Sequence, residues 1–240
     1  MSEVLQRKLT RREFRERMQC GELKGCIVPV GAIEQHLEHL AMEHDWRSVC
    51  KVAVAVAERL RPNVLVSEGV MAGISEHHMR HAGTLSLQPG TFLAVLSDVI
   101  DSVVRAGFKN VLILNGHGGN VGPVKGSWKQ YLLASHVNLH FLSYWDVLNE
   151  ADAKELLKGG HQLPDDLPGH AQEFETAFAL AAFPENVRTN VWKEQPDQKP
   201  SLATSAQGQE FFRRIVDRVT TYLGEMIEGQ RVAKAPEYFP

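Results

Sequence analysis

The chain has 240 residues, 43% hydrophobic and 23% charged, with a formal net charge of -3. This is ordinary globular composition, long enough for one domain with a large core. The slight acidic balance argues against nucleic acid or an anionic membrane as the main partner, and no apolar run approaches the roughly 20 residues that span a bilayer.

The first 20 residues are charged and polar, without the apolar stretch of a secretory signal, and read as a short amphipathic helix with Arg11, Arg12, Arg15 and Arg17 outward. Cys20, Cys26 and Cys50 are odd in number and form no C-x-x-C, so free thiols and a cytoplasmic location are expected. Residues 25–31 read as a buried strand, and 45–61 as a helix with Asp45 at its N-cap. A second strand follows at 63–67. Residues 89–106 carry apolar side chains at helical spacing (Phe92, Leu96, Ile100, Val103), and Gly107 sits where a helix-ending glycine belongs. Residues 110–114 form a third strand, 120–134 a helix and 137–144 a fourth strand. Helices are expected at 172–182 and 205–230, with Pro-rich loops at 158–169 and 193–201. This order predicts an α/β domain spanning 1–240, its mainly parallel sheet covered by helices on both faces. Ligands in such folds bind beyond the carboxyl ends of the strands.

Four polar clusters stand out, three of them directly after predicted strands. Glu34, His36, His39, His44 and Asp45 come after the first. A single E-x-H usually belongs to a solvated loop, but so many ligand-type side chains directly after a buried strand favour a site. Ser75, Glu76, His77 and His78 come after the second strand and are expected to form one wall of the crevice, with Ser75, Glu76 and His77 as substrate contacts. Asn115-Gly116-His117-Gly118-Gly119-Asn120 after the third is the most specific motif: Gly118 and Gly119 permit close approach to a ligand, and the two asparagines can hold the turn. His170 and Glu175 lie where the Pro-rich loop gives way to a helix. Glu173, on another helix face from Glu175, reads as a helix-dipole partner.

No G-x-S-x-G or activated thiol is present, so a metal is the better source of a nucleophile. Imidazole and carboxylate donors suit zinc first, with manganese or iron(II) as alternatives. Two cations about 3.5–4 Å apart lower the pKa of a shared water towards neutrality and polarise an amide carbonyl. His170 would then protonate the leaving nitrogen.

At these clusters the chain resembles the creatininase family (creatinine amidohydrolase-like hydrolases). The family's E-Q-H-G-P-H-L-P appears as Glu34-Gln35-His36-Leu37-Glu38-His39-Leu40-Ala41, followed by Asp45; N-G-H-G-G-N is intact; H-A-G-x-x-E-T-S appears as His170 to Ala177. The family's G-x-S-x-E-H reads as Gly73 to His78 with one spacer fewer between Ser75 and Glu76, then Gly83-Thr84. The resemblance implies a three-layer α/β/α sandwich, two divalent metal ions and a cyclic homo-oligomer, often a hexamer. It places Glu34, Asp45 and His117 on one metal and His36, Asp45 and Glu175 on the other, with Asp45 bridging. Creatininase itself takes a glutamate ligand where this chain has Gly119, which makes Glu175 the natural replacement. The implied activity is hydrolysis of a small-molecule amide, cyclic amide or formamide, at a non-peptide C–N bond by a metal-bridging hydroxide. The alternatives are peptidase-like trimming of a precursor peptide, and a non-catalytic metal-binding scaffold.

Overall fold

The first three strands are buried on both faces almost throughout, and the fourth is so only in part. In the computed structural model, which describes residues 2–160, 166–192 and 194–234, four strands form one sheet: β1 (Gly25–Val30), β2 (Val64–Val66), β3 (Asn110–Asn115) and β4 (Asn138–Ser143). Every pairing is parallel and the order is β2-β1-β3-β4. Parts of both predicted Pro-rich loops, residues 161–165 and 193, lie outside the described residues, as does the end of the expected domain, 235–240.

The helices are α1 (Arg11–Gln19), α2 (His44–Arg59), α3 (Pro89–Arg105), α4 (Gly118–Ser135), α5 (Glu150–Leu156), α6 (Glu173–Ala182) and α7 (Ser205–Ile227). Side chains alternate across the sheet with the period of two that strands impose. Ile27, Leu112 and Leu114 face a core shared with α2, α6 and α7 (Val49, Phe178, Ile215). Cys26, Val28, Val111 and Ile113 face a second core under α3 and α4 (Leu96, Ile100, Val124). The result is the expected three-layer α/β/α sandwich.

Pro29 stands inside central strand β1, where a missing N–H would normally break a ladder. The carbonyls of Ile27 and Pro29 both face the β2 side, accepting from Ser67 and Val70, so the Pro29 nitrogen also faces that side. β2 has already ended at Val66. No ladder bond is lost.

The register fixes the site. Val30 pairs with Asn115 and Asn115 with Ser143, so three strands end at one level. The segments leaving them start from a common rim.

Several local expectations change. Asp45 is not an N-cap: α2 starts one residue earlier, at His44, and Asp45 lies in its first turn. Arg17 is not turned outward. Its guanidinium donates to Glu22 and to the carbonyls of Glu3 and Pro62. Gly107 does follow α3 with φ +113°. Helix α5 went unpredicted because its seven residues have little periodicity; reciprocal hydrogen bonds between Asn149 and Asp152 hold its start.

Candidate metal centre

Five sequence-predicted ligands meet at the rim, delivered by four different local devices. Glu34 and His36 lie on the extended segment after β1, tied down by bridges between Ile33 and Leu85 and between His36 and Leu40. Asp45 sits in the first turn of α2, His117 between β3 and α4, and Glu175 in the first turn of α6. All five are buried. Asp45 Oδ1 is 3.0 Å from His36 Nε2 and Oδ2 is 2.9 Å from His117 Nδ1. Glu175 Oε2 is 3.8 Å from His36 Nε2, and Glu34 Oε1 is 3.5 Å from His117 Nδ1.

Backbone carbonyls orient both rings. His117 Nε2 donates to the Ile74 carbonyl at 3.0 Å, which leaves Nδ1 as the bare nitrogen facing Asp45 and Glu34. His36 Nδ1 donates to the Glu34 carbonyl at 3.1 Å, leaving Nε2 towards Asp45 and Glu175. This is the support that metal-binding imidazoles use. The turn around His117 is held as expected: Asn115 accepts from the His117 N–H and donates to its carbonyl, and Asn120 bonds Ile74, Gly31 and Asn115.

Electrostatics and orphaned atoms test whether cations fit. Glu34 Oε2 and Asp45 Oδ2 are buried without a hydrogen bond; the short Asp45–His117 contact is misaligned for one. Burial raises the pKa of Glu34, and lifts Glu175 to about 8. Burial opposes charge on His36 as well, but Asp45, Glu175 and Glu34 carry it up to about 10. His117 rises against burial through Asp45, and Asp45 falls against burial through His36 and His117. Three buried carboxylates thus demand positive charge, which protons supply in the metal-free chain. Among the described residues, Glu34, His36 and Asp45 bring donor atoms within 4.8 Å of one another, as do His36, His44 and Glu175, so the donor set fits a metal ion.

The remaining predicted residues divide. His170, His77, Gly118 and Gly119 line a cavity of about 370 Å³ together with Glu34, Asp45, His117, Glu175 and His78. Ser75 is buried behind it, its Oγ 3.3 Å from His117 Nε2. Glu76 is exposed and does not line the cavity, so its expected substrate contact is not supported. His39 is used structurally: Gln195 donates to its Nδ1, and its Nε2 donates to Thr176. His44 is buried 5.0 Å from the His36 ring, and its Nδ1 makes no hydrogen bond. Glu173 is more than a dipole partner, since its carboxylate accepts the backbone N–H groups of Lys158 and Gly159 and the Gln207 amide.

Sequence reasoning gave no role to Gln35, which lies behind two cavity histidines, and none to His78 beyond a place in the crevice wall. The Gln35 amide nitrogen lies 2.9 Å from His78 Nδ1 and 2.8 Å from His170 Nε2. The signal for His78 was present: aligned without a deletion, G-x-S-x-E-H puts Gly73, Ser75 and His78 on the pattern, with His77 at the glutamate position.

The family profile for creatininase (creatinine amidohydrolase) matches residues 7–223. The creatinine amidohydrolase of Pseudomonas putida is 29% identical over 75% of this chain and 72% of its own length. The 3-dehydro-scyllo-inosose hydrolase of Thermotoga maritima is 32% identical over 74% of this chain, which spans 55% of that protein. A mycofactocin precursor peptide peptidase of Mycobacterium tuberculosis is 26% identical over 80% of this chain and 81% of its own length. A mutant creatininase of Zn-Zn type superposes with TM-score 0.79 at 25% identity, covering 94% of this chain and 98% of its own. A manganese form of creatininase superposes at 0.75 with 25% identity, covering 93% and 98%. With its fold, its rim of carboxylates and imidazoles and a profile match over most of its length, the chain belongs to the creatininase family.

Proposed function

We propose that the chain is a metal-dependent amidohydrolase that opens a cyclic amide or formamide at a non-peptide C–N bond. One observation carries this reading: the two oxygens of Asp45 face two different imidazoles, each turned ligand-side inward by a backbone carbonyl. Two divalent cations held there, zinc first with manganese or iron(II) as alternatives, would acidify water and polarise a carbonyl. Glu34, Asp45 and His117 would hold one cation and His36, Asp45 and Glu175 the other.

The chain's own groups do the rest. Glu175 is braced by the Ala171 N–H at 2.6 Å, which keeps its carboxylate turned to the site. Ser75 braces His117. The cavity of about 370 Å³ suits a small molecule. Gly118, Gly119 and His77 form its floor for substrate. His170 is the catalytic side chain; burial, with His36 and His78 nearby, lowers its pKa to about 3, so the ring is neutral at pH 7 and would meet reacting atoms through hydrogen bonds in place of the expected protonation of the leaving nitrogen. A homo-oligomer in the cytoplasm completes the reading; among the described residues no helix is long and apolar enough to cross a membrane.

A second reading, trimming of a precursor peptide, draws on the mycofactocin peptidase likeness over most of both chains. The test is metal analysis of the purified protein joined to a screen of creatinine, lactams, hydantoins, formamides and short peptides, with a metal-stripped control. Metal-dependent hydrolysis of a small amide is expected. Turnover of peptides alone selects the second reading. A protein that binds no divalent metal and hydrolyses nothing refutes both.

A further inference from the structure

Gln35 links two histidines that come from distant parts of the chain, and hydrogen-bond counting gives it a task. Its Oε1 accepts the Leu37 backbone N–H at 2.9 Å, which fixes which end of the amide is oxygen. Leu37 adopts a left-handed φ of +54°, unusual for leucine, and that turn accompanies the contact. The amide nitrogen therefore faces the rings, 2.9 Å from His78 Nδ1 and 2.8 Å from His170 Nε2. An amide NH2 has two hydrogens and accepts none. Both ring nitrogens must accept, so both are bare. A neutral imidazole then carries its hydrogen on the other nitrogen. Those are Nε2 of His78 and Nδ1 of His170, and they stand 3.7 and 3.6 Å from Glu34 Oε1. The rings stack with centroids 4.4 Å apart, which keeps them side by side.

We propose that Gln35 is a positioning residue that sets both tautomers, making His78 and His170 a paired N–H donor for a substrate oxygen. The class of substrate follows: an amide whose carbonyl, or a neighbouring carboxylate, presents an acceptor oxygen at the cavity wall. The gaps of 3.6 and 3.7 Å are too long for direct hydrogen bonds to Glu34, so neither N–H is satisfied by it. No proton is transferred in this role. The pairing has a second consequence. Glu34, His78 and His170 hold donor-type atoms within 4.8 Å of one another and resemble a cation site. With hydrogens on both facing nitrogens, that set is closed to metal. The inference rests on the amidohydrolase reading only for what occupies the cavity.

Neutron diffraction on deuterium-exchanged, zinc-loaded crystals tests it. Deuterium is expected on His170 Nδ1 and His78 Nε2, and absent from their other ring nitrogens. Deuterium on His170 Nε2 or His78 Nδ1 overturns the proposal. Gln35→Glu keeps the acceptor for Leu37 but replaces the donor, so both deuteriums should change sides. Zinc-edge anomalous maps at millimolar zinc should then show an added zinc at Glu34, His78 and His170 in the variant and none there in the wild type. Zinc at that set in the wild type also overturns the proposal. Lack of zinc beside Asp45 refutes the metal reading alone, because the deuterium positions are read independently of it.

Discussion

A Cβ placed on Gly119 would stand 2.1 Å from the carbonyl oxygen of Ile74 and 2.5 Å from Nε2 of His117, the two atoms of the hydrogen bond that orients that ring. The glycine is thus required by close approach, and a glutamate ligand at this position has no room. Gly119→Ala should push the Ile74 carbonyl away, costing about 1–3 kcal/mol of stability and roughly 10–100-fold in metal affinity. Gly126→Ala is the control. It sits on exposed α4 with nothing within 4 Å of its Cβ. It should gain about 0.5–1 kcal/mol without touching metal binding. Urea unfolding and competitive metal titration read both; equal behaviour of the two variants would remove the argument.

Asp45→Asn tests the bridge. An amide has one acceptor oxygen and places an N–H2 against whichever imidazole the other oxygen faced. One of His36 and His117 then meets a donor where the nitrogen meant for a cation points. Metal affinity should fall by more than the roughly 10–100-fold lost when a residue supporting a ligand is changed, while the fold survives because Asp45 belongs to neither apolar core. Elemental analysis after dialysis against a chelator, with circular dichroism, checks this. Metal content equal to the wild type would contradict a bridging role.

Much of this was readable because it follows from patterns confined to short stretches. Continuous apolar runs such as 110–114 marked buried parallel strands, and ligand-type residues directly after them marked the rim. What stayed hidden has no local signature. The Ile74 carbonyl that orients His117 is backbone, which any residue supplies. Gln35 gains its task only when His78 and His170, far apart in the chain, close on it. His39 looks like a ligand in its motif, yet Gln195 and Thr176 occupy both of its nitrogens. Arg17 looked like a surface charge until the carbonyls of Glu3 and Pro62 closed around it.

Acid should weaken the fold at Asp152. This carboxylate is 2% exposed and accepts from Arg214 and Arg218 and from the Asn149 N–H. Burial raises its pKa, but the two guanidiniums outweigh burial and hold it at about 2. A depressed folded-state value means the stabilisation is complete above the unfolded pKa of about 3.9 and fades as pH drops towards 2. It is worth about 2 kcal/mol. Asp152→Asn should lose that much at pH 7 and converge on the wild type near pH 2. A gap between the two that stays constant across this range would assign the loss to packing instead.

Metal binding should release protons. In the metal-free chain Asp45 and the neighbouring carboxylates push the His36 imidazole well up against its burial, and burial pushes the Glu175 carboxyl up, so near pH 7 both favour protons that a cation must displace to reach their lone pairs. The sign follows: affinity rises as pH goes from 6 to 8, because fewer protons compete. The same raised His36 value means that its ion pair with Asp45 stabilises the metal-free fold below the unfolded histidine pKa, about 6.5, and that this contribution is lost as pH climbs through 10. Calorimetric zinc titrations in two buffers of different ionisation enthalpy measure the release directly. Net proton release is expected at pH 7, and a buffer-independent heat would show that His36 and Glu175 are already free of protons in the metal-free chain.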